Sequence, residues 1–161
     1  MDNYIDVPTS GYAIGASPQI LRTTGIGSCI AICLFDKNKK MGALTHIMLP
    51  KSHDIDDNPL RYNNTAIPMV VAKLEELRVQ KCDLVAQIIG GANMFPSLWS
   101  GENSVGDSNI AAAKKILEEM GIPIEREDIG GNSGRSLEFE LEYGKVLVVS
   151  KDKINDKNII G

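Results

Sequence analysis

Cys29 and His46 are the two residues of this chain best suited to doing nucleophilic chemistry together. Cys29 closes the stretch Thr23-Thr24-Gly25-Ile26-Gly27-Ser28-Cys29 and runs straight into the apolar Ile30-Ala31-Ile32-Cys33-Leu34-Phe35. Two glycines one residue apart let the backbone turn sharply or take positive φ just ahead of the cysteine. Such a turn leaves the sulfur at a strand end with backbone N–H groups beside it, which is what a thiol nucleophile with an oxyanion site requires. His46 lies in Gly42-Ala43-Leu44-Thr45-His46-Ile47-Met48-Leu49-Pro50, where an imidazole could take the thiol proton. Each residue also has a plainer reading. A cysteine at a strand start can be an inert small hydrophobe, and a histidine in an apolar run is commonly a satisfied core residue.

The elements around the pair decide whether the two can meet. Ser28–Phe35 reads as a strand covered on both faces, Asp36-Lys37-Asn38-Lys39-Lys40 as a charged turn, and Gly42–Leu49 as the returning strand. A turn centred between Lys37 and Asn38 sets Cys29 directly opposite His46. One centred a residue later makes them diagonal neighbours, and both registers keep the two side chains on one face. A register of opposite parity separates them.

Farther along, Tyr12–Gly15 and Gln19–Thr23 read as short strands divided by Ser17-Pro18. A helix is expected over Thr65–Leu77, with an apolar stripe of Ala66, Met69, Val70, Leu74 and Leu77, Asn64 or Thr65 as its cap, and Pro68 in its first turn. Asp83–Ile89 reads as a buried strand ending in Gly90-Gly91-Ala92-Asn93-Met94-Phe95. A loop through Pro96 and Trp99 leads to a second helix opened by Gly106-Asp107-Ser108-Asn109. That helix has Ile110, Ala113, Ile116, Leu117 and Met120 on one face and Gly121 as its stop. Strands at Ile122–Glu125, Leu137–Leu141 and Val146–Val149 complete the pattern, which is α+β with two main helices.

At 161 residues the chain is expected to form one domain, 1–161, with 1–10 and 151–161 as loose tails. Apolar residues make up 43% and charged residues 24%, the composition of a soluble globular protein. A net charge of −4 argues against general nucleic-acid binding. No segment reaches the roughly 20 apolar residues that cross a membrane, and the acidic N-terminus lacks a signal pattern. Three cysteines, Cys29, Cys33 and Cys82, without C-x-x-C spacing fit reduced thiols in the cytoplasm. Cys33, inside an apolar strand, and Cys82, just before one, read as structural. The second histidine, His53, sits in a charged loop and is the weaker candidate base.

Several other chemistries fail on spacing. Asp54-x-Asp56-x-Asn58 begins like a calcium loop, but Pro59 stands at the glycine position and Thr65 at the closing glutamate. No metal site is expected. Gly25-x-Gly27 lacks the third glycine of a dinucleotide fingerprint, no Gly-Lys-Ser/Thr phosphate loop occurs, and Ser28 lacks the second glycine of a hydrolase elbow. Asn93 and Asn132 could offer amides to a substrate, although an asparagine in a glycine turn needs no such role.

Four blocks in order, Thr23–Cys29, Thr45–Pro50, Gly90–Phe95 and Asp128-Ile129-Gly130-Gly131 with Arg135, make the chain resemble the CheD family of chemoreceptor glutamine deamidases, from about Tyr12 to Val149. One departure is visible: the family commonly has Gly-x-Arg-Asn where this chain has Gly106-Asp107-Ser108-Asn109. The resemblance implies a layered α/β/β/α sandwich of mixed sheets, similar to the catalytic domains of deamidating bacterial toxins. It implies Cys29 as nucleophile, His46 as base and Thr23 as the residue that orients the histidine, with Gly27 and Ser28 lining the oxyanion site. It also implies methyl-accepting chemotaxis receptors as substrate, a CheC-type phosphatase as partner, and no cofactor. A binding module acting through the CheC-type contact is the alternative. A redox-responsive thiol protein is a third reading, needing a resolving partner for Cys29.

Overall fold

The computed structural model describes residues 3–52, 58–95 and 104–150. His53, Asp54 and Asp56, the loop from Pro96 through Trp99, and the tail from Lys151 lie outside the described residues. Nine strands and two helices occur among those described: β1 (Tyr4–Asp6), β2 (Gly11–Ala16), β3 (Ile20–Ile26), β4 (Ile30–Asp36), β5 (Met41–Ile47), α1 (Asn63–Glu76), β6 (Leu84–Gly90), α2 (Val105–Glu119), β7 (Ile124–Ile129), β8 (Arg135–Glu140) and β9 (Lys145–Ser150). They form two mixed sheets, one of order β1-β3-β8-β9 and one of order β2-β5-β4-β6-β7. The β1–β3 and β6–β7 pairs are parallel and the rest antiparallel. The expected α+β class with two main helices and mixed sheets is what the chain adopts.

Strand β4 is the centre of this arrangement and is buried along its whole length. Period-two alternation splits its side chains between two cores. Ile30, Ile32 and Leu34 face α1 and α2, together with Ile67, Val70, Leu74, Ile88 and Leu117. Ala31, Cys33 and Phe35 face the other sheet, among Leu21, Ile26, Leu44, Leu137 and Phe139. Phe35 meets Phe139 edge-on across that gap, with ring centroids 6.1 Å apart. Each fully buried Leu, Ile or Phe contributes about 1.5–3 kcal/mol, so a strand with no exposed residue is anchored from both sides. Both helices pack on the five-stranded sheet. Among the described residues the layers therefore run helices, sheet, sheet, where the sequence reading puts a helix layer on each outer side.

Local differences from the sequence reading have physical causes. Helix α1 begins at Asn63, not Thr65, and its N-cap Tyr62 makes no side-chain capping bond. The earlier start puts Pro68 in the second turn, where it removes the donor to the Asn64 carbonyl without ending the helix. Its buried stripe is Ala66, Ile67, Val70, Val71 and Leu74, while Leu77 is exposed and Met69 only partly covered. The helix is thus rotated towards its β-branched residues. Helix α2 starts at Val105, capped by Ser104, whose hydroxyl accepts from the Asp107 N–H at 3.1 Å. Residues 1–10 are not a loose lead-in throughout. Tyr4–Asp6 pair in parallel with Ile20–Arg22, Asp6 meets the Arg22 guanidinium at 2.6 Å, and Val7 is buried.

Candidate active site

The two sheets face each other at the end of β4 where Cys29 enters it. The hairpin pairs Ala31 with His46 and Ile30 with Ile47, so its turn centres between Asn38 and Lys39. This is the later of the two same-parity registers, the one that makes Cys29 and His46 diagonal neighbours. Cys29 itself sits in a bend just before the strand and is partly exposed, while His46 is fully buried.

His46 is held through its backbone carbonyl and through one ring nitrogen. Its backbone carbonyl accepts the Ser10 N–H at 2.8 Å, fixing the strand edge. Its Nδ1 lies 2.8 Å from the Thr23 hydroxyl, across the gap between the sheets. That hydroxyl also donates to the Val7 carbonyl at 2.6 Å. A threonine has one hydroxyl proton, and Val7 takes it. The remaining bond must therefore run from Nδ1–H to Thr23 Oγ1, which leaves the proton off Nε2. Nε2 is buried and has no hydrogen-bond partner among the described residues. An imidazole in this tautomer, with a free lone pair, is a base waiting for a proton.

The cysteine turn is fixed through its carbonyl oxygens. Gly27 O accepts from Ala92 N at 2.9 Å, and Cys29 O accepts from Gly91 N at 2.8 Å. Ser28 O accepts from Asn109 Nδ2 at 2.8 Å. The same nitrogen donates to Met48 O at 2.9 Å, and Asn109 Oδ1 accepts from Asn63 Nδ2 at 3.1 Å. Asn63 Nδ2 also donates to Leu49 O at 3.1 Å. Glycine is needed where these pieces meet. At Gly90 (φ +118°) a Cβ would stand 2.5 Å from Cys29 O, and at Gly106 one would strike the Gly91 and Ala92 carbonyls. Met94 packs over Gly27, and a cavity of about 200 Å³ opens beside Ser28, lined also by Met94, Phe95, Ser104 and Val105.

Burial sets the electrostatics. It raises the Cys29 pKa above the ordinary 9.0, while backbone hydrogen bonds from Cys29 and Gly27 act in the opposite direction. Burial lowers the His46 pKa below 6.5. At neutral pH the resting pair is therefore thiol and neutral imidazole, and the thiolate has to be made by proton transfer. Cys33, wholly buried between the sheets, is pushed far above the usual thiol range and has no access to a substrate.

Thr23 and His46 thus meet across the gap between the sheets, and Gly27, Ser28 and Cys29 form the turn that enters β4 at the same end. Cys82 lies apart: it is exposed in the 3-10 turn Lys81–Asp83, contrary to a structural role in the core. Asn93 serves its own turn, its side-chain oxygen accepting from Phe95 N at 3.2 Å, and its backbone N–H bonds Gly131 O. Arg135 is ion-paired with Asp128 at 3.1 Å, holding the loop between β7 and β8. Val7, Asn63 and Asn109 escape the sequence reading as site residues. Their contacts are long-range, and the only local signal is a polar residue at a helix start.

A family model described as CheD chemotactic sensory transduction matches residues 48–150. The probable chemoreceptor glutamine deamidase CheD of Clostridium kluyveri is 44% identical over 146 residues, covering 89% of this chain and 87% of that protein. The chemoreceptor glutamine deamidase CheD of Thermotoga maritima is 42% identical over 137 residues, covering 85% of each. Among solved structures, the hypothetical protein YfiH of Bacillus licheniformis aligns with a TM-score of 0.47 and 12% identity, over 73% of this chain and 49% of that one. With the family model spanning most of the chain and such relatives covering nearly all of it, this chain belongs to the CheD family.

Proposed function

We propose that this chain is a cytoplasmic protein-glutamine deamidase that converts glutamine side chains of chemotaxis receptors to glutamate. His46 Nε2 takes the Cys29 thiol proton, and the sulfur attacks the carboxamide carbon of the glutamine. The C=O electrons move onto oxygen, and the N–H groups of Ser28 and Cys29 hold that oxyanion. The tetrahedral intermediate collapses as imidazolium His46 gives its proton to the departing nitrogen, releasing ammonia and leaving a thioester. Water, deprotonated by His46, then attacks the thioester, and the sulfur leaves and recovers the proton. The balance is glutamine plus water to glutamate plus ammonia, with the enzyme unchanged and no cofactor. Thr23 holds the tautomer throughout, an orienting role that Asp or Asn fills in other triads.

One observation carries this reading: a buried histidine whose Nδ1 is committed to Thr23 and whose Nε2 has no partner among the described residues, diagonal to a cysteine at a strand mouth. The names of the relatives support receptors as the substrate. The family reading adds a CheC-type phosphatase as a binding partner. No helix among the described residues is long and apolar enough to cross a membrane.

The test is incubation with a glutamine-bearing receptor fragment, following ammonia and the gain of about one dalton that amide-to-acid conversion through a thioester produces. Both signals are expected from the native chain and neither from Cys29→Ala. Activity in Cys29→Ala overturns the mechanism. A Cys29→Ala protein that still acts on a CheC-type phosphatase separates the binding role from the chemistry.

A further inference from the structure

We propose that Asn109 is a positioning residue for the deamidation, acting as a clamp that aims the Cys29 backbone N–H at the oxyanion. The inference rests on the reading of Cys29 as nucleophile. Asn109 is completely buried, and its amide is matched to its surroundings atom by atom. Both Nδ2 hydrogens go to backbone carbonyls, Ser28 O on the cysteine turn and Met48 O just beyond the histidine strand. Its Oδ1 receives an N–H from Asn63, whose other N–H is spent on Leu49 O. Ser28, Met48 and Leu49 present only carbonyl oxygens here, so the nitrogen must face them. A carboxylate at 109 would put an acceptor against acceptors. A hydroxyl has one proton where two are used.

The consequence follows from the planarity of the peptide. In a trans peptide the C=O and N–H point in opposite directions, so the bond that draws Ser28 O towards α2 turns the Cys29 N–H away from α2. Helix α2 lies on the helical face of the five-stranded sheet. The opposite face is the gap between the sheets, where His46 and Thr23 meet. The N–H of Cys29 also acts on its own thiol, as one of the two groups that oppose the burial-driven rise in its pKa. The second hydrogen of Nδ2 ties the same amide to the strand that carries the base. One side chain therefore sets both the oxyanion donor and the spacing of nucleophile and base. Gly106 brings α2 close enough for this contact, because its missing Cβ leaves room against the Gly91 and Ala92 carbonyls.

The experiment compares the native full-length chain with Asn109→Ala, Asn109→Asp, Asn63→Ala, Cys29→Ala and, as a control on the same helix, Leu117→Ala. It reads kcat and KM on a glutamine-bearing receptor fragment and the pH dependence of Cys29 alkylation by iodoacetamide. Asn109→Ala should lower kcat about 10–100-fold with KM within about threefold, the signature of support lost in the transition state. Its Cys29 alkylation profile should move to higher pH. Asn63→Ala should shift both readouts the same way by less, about 3–10-fold in kcat, because Asn109 stays but loses its own support. Asn109→Asp should gain on the native chain as pH falls, since a protonated carboxyl recovers one donor for Ser28 O. Leu117→Ala should melt earlier yet keep its kcat per folded molecule. Should Asn109→Ala not fold, the pH-dependent ratio of the nearly isosteric Asn109→Asp carries the test. Native-like kcat and alkylation in Asn109→Ala, a pH-independent Asn109→Asp ratio, or an equal kcat loss in Leu117→Ala each overturn the clamp while leaving Cys29 chemistry intact. Activity in Cys29→Ala overturns the underlying reading instead.

Discussion

Strand β4 meets a turn at each end, and the two turns are built in opposite ways. At its C-terminal end the buried Asp36 carboxylate accepts N–H groups from Asn38 at 2.9 Å and Lys39 at 3.2 Å, so the turn is satisfied by its own first residue. At its N-terminal end the carbonyls of Gly27, Ser28 and Cys29 are taken by Ala92, Asn109 and Gly91, all far along the chain. The first turn is a local structure that sets the hairpin register. The second is a tertiary structure, correct only when β6 and α2 are in place. The same division separates the cysteines. Cys33 faces the inter-sheet core and is sealed, whereas Cys29, on the same strand line, opens at the end held by remote contacts. Damage to the local turn should thus cost stability, and damage to the remote one should cost chemistry.

The sharpest break in that contrast is His46→Ala, which removes the proposed base and should lower kcat about 10²–10⁴-fold with the fold retained, measured by ammonia release and circular dichroism. Thr23→Val comes next. It keeps the shape but leaves Nδ1 of His46 and the Val7 carbonyl unpartnered, for a loss of about 10–100-fold in kcat and about 1–3 kcal/mol in stability by denaturant titration. Thr23→Ser should restore most of both. A smaller effect is expected from pH. Because burial holds the His46 pKa below 6.5, the imidazole stays neutral into mild acid, and the acidic limb of kcat/KM should lie below 6.5. The linked stability is fully present above 6.5 and is lost as pH falls through the lower folded value, since only the unfolded chain then gains the proton freely. Melting temperatures of the native chain and His46→Gln between pH 7 and 5 isolate that contribution, and an acidic limb above 6.5 would contradict it. Smallest for activity is Asp36→Ala, which should cost about 1–3 kcal/mol of stability and leave kcat per folded molecule unchanged.

Legibility in the sequence follows the same line between local and remote. The Asp36–Lys40 turn, the continuous apolar run of β4 and the period-two alternation are local signals, and two of the registers they allow put Cys29 and His46 on one face while a register of opposite parity separates them. The stop of α2 at Gly121 is nearly as clear, whereas its start lies one residue ahead of the Gly106 opening read from the sequence, at Val105 with Ser104 as the cap. The first ten residues read as a loose lead-in, and nothing local shows that Val7 will receive the Thr23 proton. Thr23 itself is indicated by family likeness alone, since a threonine in a β-strand carries no mark of its partner on another sheet. Asn63 and Asn109 each resemble an ordinary polar residue near a helix start. Their meaning lies in carbonyls contributed from several remote segments, which no spacing rule connects.

The long reach of the cysteine turn also has a consequence in time. Thr23, Cys29 and His46 are all translated within the first third of the chain, well before Gly91, Ala92 and Asn109 leave the ribosome. A nascent chain therefore carries the proposed nucleophile and base while the carbonyls of the cysteine turn are still untied. On the proposed mechanism the centre is complete only when α2 arrives, so a ribosome-bound fragment ending before Asn109 would hold Cys29 and His46 without the bond from Asn109 to Ser28 O.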